Sequence, residues 1–343
     1  MTTSRAGRCP TYPTIPHTAT SLTREIPPLR PGARHRLQRA ERVAFSPLKA
    51  NAGAARGLDG GTGSKVTSMA SKPKQLLTEL SHPGPHEVLR GNLALVGLPG
   101  VVFTPRSGLG LPAIAFGHGW LQPTGSYRHL LRHLASWGIV AAAPATQRGP
   151  LPSHRLLAGD LLTTLDLITT VRLGPDGISV DPAKLGLAGH STGGGSAVLA
   201  AAQAADEDSD RPRVQAVATI TPAQTLPPAT VSARSVTVPG LHLAAGKDLV
   251  APSAGHAEAI ADAWGGPVQL RTLGKSSHLG VTEGRHWSQL LLHGKPHRGT
   301  QQLTRALFTA FFLTHLTGTT KYQSLLDSDV KRAPIELQDE PAA

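Results

Sequence analysis

The chain has 343 residues, 39% apolar and 16% charged, enough to bury a large core, and this composition excludes a collagen-like, disulfide-rich or wholly disordered protein. Its one cysteine, Cys9, rules out an internal disulfide, and no C-x-x-C pattern suggests a zinc or redox centre. The formal charge of +12 is uneven: residues 1–68 hold 11 Lys+Arg against 3 Asp+Glu, leaving 23 against 19 in residues 69–343, so most of the excess lies in the leader.

Residues 1–68 show no sustained period and are rich in Pro, Gly, Arg and Thr, which predicts a disordered basic tail. Met69 is a second candidate start of translation. The cluster Arg34, His35, Arg36, Arg39 and Arg42 is expected to be solvated, although salt-dependent retention on DNA would reveal a nucleic-acid role. No run approaches eighteen apolar residues, and the first thirty lack the apolar core of a secretion signal. A cytoplasmic protein is therefore expected, with no membrane span.

From residue 69 to 343 short apolar runs alternate with amphipathic segments, the rhythm of an α/β domain with a mainly parallel sheet covered by helices on both faces. Strands are predicted over 100–103, 113–116, 139–143, 184–188, 214–220, 240–244 and 268–272, and helices over 126–137, 153–171, 193–205, 253–264 and 304–316. The stretches 206–212 and 223–239 read as loops.

Gly189-x-Ser191-x-Gly193 follows an apolar strand and opens an Ala-rich helix, the context a nucleophile elbow requires. Small neighbours let the backbone turn sharply, and the helix N-terminus favours developing negative charge at Ser191. A serine hydroxyl needs a base and an orienting acid, expected in the order Ser, Asp or Glu, His. Asp248 follows the strand predicted at 240–244, and His278 follows the one at 268–272, both at strand carboxyl ends where open α/β sheets gather their sites. His286 is the rival base; His190, beside the nucleophile, is expected to be packed. The backbone N–H of Thr192 and that of Trp120, in Gly117-His-Gly-Trp120, are the expected oxyanion donors, with Trp120 and Leu121 lining the substrate site. His293 and His297 have a metal-like spacing, but Gly294 and Pro296 between them break a helix, so neither a metal nor a cofactor is expected.

These segments, GHSTGGG, AAGKDLVAP, SSHLG and FGHGW among them, resemble the α/β-hydrolase superfamily over about residues 83–326, and within it the cutinase-like polyester hydrolases and their dienelactone-hydrolase and chlorophyllase-type relatives. The resemblance implies Ser191, Asp248 and His278 as a triad acting on a small-molecule ester. It also marks departures. Ala223 stands where the polyester hydrolases carry an aromatic clamp, Thr192 where they usually have methionine, the C-terminal disulfide is absent, and the loop 280–299 is longer. Ester hydrolysis is the expected chemistry; acyl transfer by the same triad and a non-catalytic scaffold binding a ligand or partner are the alternatives.

Overall fold

The computed structural model describes residues 45–47, 72–206, 211–292 and 294–339. Apart from residues 45–47, the leader predicted to be disordered lies outside the described residues, as do Cys9, the basic cluster at 34–42 and His293.

Among the described residues ten strands form one sheet: β1 Phe45–Pro47, β2 Val88–Asn92, β3 Gly100–Pro105, β4 Leu111–Gly117, β5 Val140–Pro144, β6 Val180–His190, β7 Val214–Ile220, β8 Gly240–Ala245, β9 Val268–Leu273 and β10 Ile335–Asp339. Their order is β1-β2-β3-β5-β4-β6-β7-β8-β9-β10. The six strands from β5 to β9 run parallel, and the flanking strands β1, β2, β3 and β10 join antiparallel. All seven predicted strands are present. Most are readable because both faces are buried, which makes them almost unbroken apolar runs; β9 instead mixes Val268, Leu270 and Leu273 with Gln269, Arg271 and Thr272.

Period-2 alternation sends side chains to the two faces in turn. In β4, Ala113 and Ala115 enter one core, with α3 (His154–Thr170), α4 (Thr192–Ala204), α5 (Ala229–Ala233) and α6 (Ala257–Asp262). Ile114 and Phe116 enter the other, with α1 (Pro73–Ser81), α2 (Arg128–Ser136), α8 (Arg298–Thr317) and α9 (Gln323–Leu326). The short α7, Ser288–Leu291, lies between α6 and α8 in the chain. Helix α3 begins where Ser153 Oγ accepts from the Leu156 N–H at 3.2 Å, and Leu157, Leu161, Leu165 and Ile168 form its buried stripe.

Several predicted boundaries move, three of them most. The helix expected over 253–264 is a 3₁₀ turn at Ser253–Gly255 followed by α6, because His256 has φ −132° and ψ −91° and its Nδ1 accepts the Gln224 N–H. Helix α8 starts six residues before the predicted 304, since His297 Nδ1 accepts the Thr300 N–H and caps a first turn that has no apolar signal of its own. The expected loop 223–239 contains α5, which starts after Pro228. Among the described residues, no helix is long and apolar enough to cross a membrane.

Candidate active site

Trp120, Ser191, Asp248 and His278 each follow the end of a parallel strand of the sheet. β6 finishes at His190 and α4 begins at Thr192, which leaves Ser191 alone to make the turn. Its backbone has φ 55° and ψ −126°, a region costly for any residue with a Cβ. Four hydrogen bonds hold it there: the Ser191 N–H donates to Ile220 O, and Ser191 O accepts from the Gly194, Gly195 and Ala223 N–H groups. Gly193 permits the crossing, because a Cβ on it would run into the backbone of Gly117 and His118.

β8 and β9 bring Asp248 and His278 together. Their last paired residues are Ala245 and Leu273, so the two loops leave the sheet side by side. The Lys247 N–H donates to Ser276 O at 2.9 Å and ties the loops again. Asp248 and His278 then face one another three and five residues beyond the strand ends.

The result is a directed hydrogen-bond chain. Ser191 Oγ lies 2.8 Å from His278 Nε2, and His278 Nδ1 lies 2.7 Å from Asp248 Oδ2. Both ring and carboxylate are 1% exposed. The second carboxylate oxygen accepts from the Val250 and Ala251 N–H groups at 2.9 and 2.8 Å. Burial alone would raise the Asp248 carboxyl. The His278 hydrogen bond and charge and the Ala251 and Val250 amides outweigh it, and they hold the group below the ordinary carboxylate range. Asp248 is thus an acceptor that orients His278 Nδ1 as the donor and leaves Nε2 as an acceptor facing Ser191 Oγ.

β4 supplies the opposite wall. Gly117 pairs with Gly189, so residues 118–120 leave the sheet beside the elbow. Trp120 is half-buried, and its indole N–H donates to Pro150 O at 3.0 Å, which fastens the ring to the loop after β5. Leu121 follows at φ 56°, also half-buried. The backbone N–H groups of Trp120 and Thr192 donate to no backbone or side-chain partner among the described residues. Thr192 is the first residue of α4, so its amide is one of the orphan donors at a helix N-terminus.

His286 is held elsewhere: its Nδ1 is 2.8 Å from Ser288 Oγ. His297 caps α8, and among the described residues no group of three or more His, Cys, Asp or Glu side chains is arranged to hold a metal. His190 is fully buried, with hydrogen bonds to Tyr127 and to the His278 backbone.

Three supports escaped the sequence reading. Gln122 Nε2 donates to Ser288 Oγ at 2.6 Å, and this joins the loop after β4 to the long loop after β9. Glu283 accepts from the His129 N–H at 2.9 Å and the Leu130 N–H at 3.2 Å, capping α2 from that same loop. Tyr127, predicted as an ordinary early residue of a helix, sits between Gly119 and His190. A polar group in an apolar helix face and a histidine at the end of an apolar strand were the available signals; their partners lie too far away in sequence to be paired by inspection.

Comparison with known proteins places this chain in a family. A family model described as PET hydrolase-like matches residues 81–285, more than half of the chain, and the match includes Ser191, Asp248 and His278. The chain is also 30% identical to Cutinase est1 of Thermobifida alba over 159 residues, spanning 46% of this chain and 50% of that relative, about half its length. With its mixed sheet and two helical layers in the α/β-hydrolase arrangement, the chain belongs to the PET hydrolase-like family.

Proposed function

We propose that the protein is a serine hydrolase of carboxylic esters, with Ser191 as nucleophile, His278 as general base and acid, and Asp248 as the orienting carboxylate. The observation that carries this reading is the buried chain from Ser191 Oγ through both ring nitrogens of His278 to Asp248, at 2.8 and 2.7 Å.

His278 Nε2 removes the Ser191 proton as Oγ attacks the ester carbonyl carbon, and the C=O pair moves onto oxygen. The Trp120 and Thr192 N–H groups stabilise that oxyanion, each donor being worth about 3 kcal/mol in the transition state. Asp248 stabilises the imidazolium. The pair returns, the C–O bond to the alcohol breaks, and His278 gives its proton to the leaving oxygen. Water, deprotonated by His278, attacks the acyl-enzyme; the Ser191 ester bond breaks and Oγ takes the proton back. No metal or cofactor enters these steps.

Trp120 and Leu121 line the acyl side in this reading. Ala223, buried at 9% exposure with its N–H on Ser191 O, offers no aromatic face to a polymer. Small-molecule esters with aliphatic or aryl acyl groups are therefore the proposed substrates. The test is hydrolysis of p-nitrophenyl esters from acetate to octanoate by the full chain, beside labelling of Ser191 by an active-serine phosphonate. A folded protein inert to every ester and to the phosphonate contradicts the proposal.

A further inference from the structure

Behind the reacting atoms runs a second hydrogen-bond chain with no part in the proton transfer. The Gly119 N–H donates to the Tyr127 phenol oxygen at 3.0 Å. That oxygen lies 2.8 Å from His190 Nδ1, and His190 Nε2 lies 2.9 Å from the backbone carbonyl of His278. Tyr127 and His190 are both fully buried.

Each link has one possible direction. A carbonyl only accepts, so His190 Nε2 carries a proton. Burial first, and then the charge of His278, push the His190 pKa down to about 3, so the ring is neutral and Nδ1 is an acceptor. Tyr127 must donate to Nδ1, and its oxygen remains free to accept from Gly119. No polar atom of the chain is left unmatched.

Its ends are what give it meaning. Gly119 precedes Trp120, and His278 is the base itself. Asp248 fixes the ring of His278, whereas His190 fixes its backbone. Tyr127 is in turn wedged against Phe116, ring centroids 4.8 Å apart, the next-to-last residue of β4 before residues 118–120 leave the sheet.

We propose that Tyr127 and His190 are positioning residues, an oriented hydrogen-bond strut that holds the Trp120 amide and His278 at a fixed separation across the ester carbonyl. The inference rests on the assignment of Ser191 and His278 as the reacting pair. It is the oxyanion side of the site that loosens when the strut is cut, so kcat falls while ground-state binding is spared.

The test uses the full chain with Tyr127→Phe, His190→Gln and His190→Leu. The readouts are kcat and KM for p-nitrophenyl butyrate, the rate of inactivation by a p-nitrophenyl phosphonate, and the melting temperature. Tyr127→Phe keeps the ring packing and loses both hydrogen bonds; the expected result is a fall in kcat of about tenfold with KM changed less than about twofold. Phosphonylation slows in parallel, because its transition state uses the same donors. His190→Gln, whose amide still donates to the His278 carbonyl, retains more of kcat than His190→Leu. Wild-type kcat and phosphonylation rate in Tyr127→Phe overturn the strut, as does His190→Gln behaving no better than a folded His190→Leu. If His190→Leu does not fold, Tyr127→Phe decides alone. A wild-type protein inert to both ester and phosphonate instead overturns the Ser191 assignment, a result distinct from an active wild type matched by Tyr127→Phe.

Discussion

Gln122 donates its side-chain amide to Ser288 Oγ at 2.6 Å, with both residues buried, and so clasps the loop after β4 to the loop that runs on from His278. Ser288 Oγ also lies 2.8 Å from His286 Nδ1, so the hydroxyl is committed on both sides. Gln122→Ala leaves this buried group short of a donor, at a cost of about 1–3 kcal/mol. A melting temperature lowered by several degrees, together with reduced kcat/KM for a short p-nitrophenyl ester, is expected. An unchanged melting temperature contradicts the clasp.

Glu283 gives the protein a pH-dependent element. Burial pushes its carboxyl up to about 7, against the His129 and Leu130 amides and the charges of Arg305 and Arg128, which pull it down. The His129 ring also faces it, with Nδ1 3.4 Å from Oε2. The folded-state pKa lies above the unfolded one, so the folded protein binds the extra proton between them and stability declines as pH rises through that window. The full swing is on the order of 3 kcal/mol. Glu283→Gln removes it: denaturant unfolding from pH 4.5 to 8 is predicted to show wild type losing stability relative to Glu283→Gln as pH rises. Parallel curves contradict the assignment.

Asp248 has the opposite sign. Its folded-state carboxyl is held below the ordinary range, so its contribution to stability is present above the unfolded carboxylate range and is lost as pH falls through the folded value. Asp248→Asn turns an acceptor into a donor toward His278 Nδ1. The ring then adopts the tautomer that presents an N–H to Ser191, and the base is gone. A fall in kcat on the order of 10³- to 10⁴-fold is expected by steady-state kinetics, with little change in KM.

Backbone strain at the elbow is separable from chemistry. Ser191→Ala and Ser191→Gly both lack the hydroxyl, but only glycine is at ease at φ 55° and ψ −126°. Ser191→Gly is predicted to be more stable than Ser191→Ala by about 1–2 kcal/mol in denaturant unfolding, with both inactive. Equal stability contradicts strain at this position.

What could be read in advance follows from how local each signal is. The central strands were legible because burial on both faces leaves an apolar run, and the elbow because its small residues are contiguous around Ser191. Strand β10 was not: it is an edge, its residues half-buried or exposed, and it has no apolar run to mark it. The first turn of α8 is Arg298, Gly299, Thr300 and Gln301, without an apolar residue, and only the His297 cap defines it. Asp248 and His278 could be proposed by counting from strand ends. Tyr127 and His190, 63 residues apart, and Gln122 and Ser288, 166 apart, are joined only by tertiary packing.

Which of two histidines serves Ser191 as its base decides the proposed chemistry. His278 Nε2 lies 2.8 Å from Ser191 Oγ, while His286 is bound to Ser288. The decisive measurement is kcat/KM of the full chain for p-nitrophenyl butyrate in wild type, Ser191→Ala, His278→Ala and His286→Ala. The expected result is turnover by wild type, loss of it in the first two variants, and substantial retention in His286→Ala. Full activity in a folded His278→Ala, or in Ser191→Ala, contradicts it.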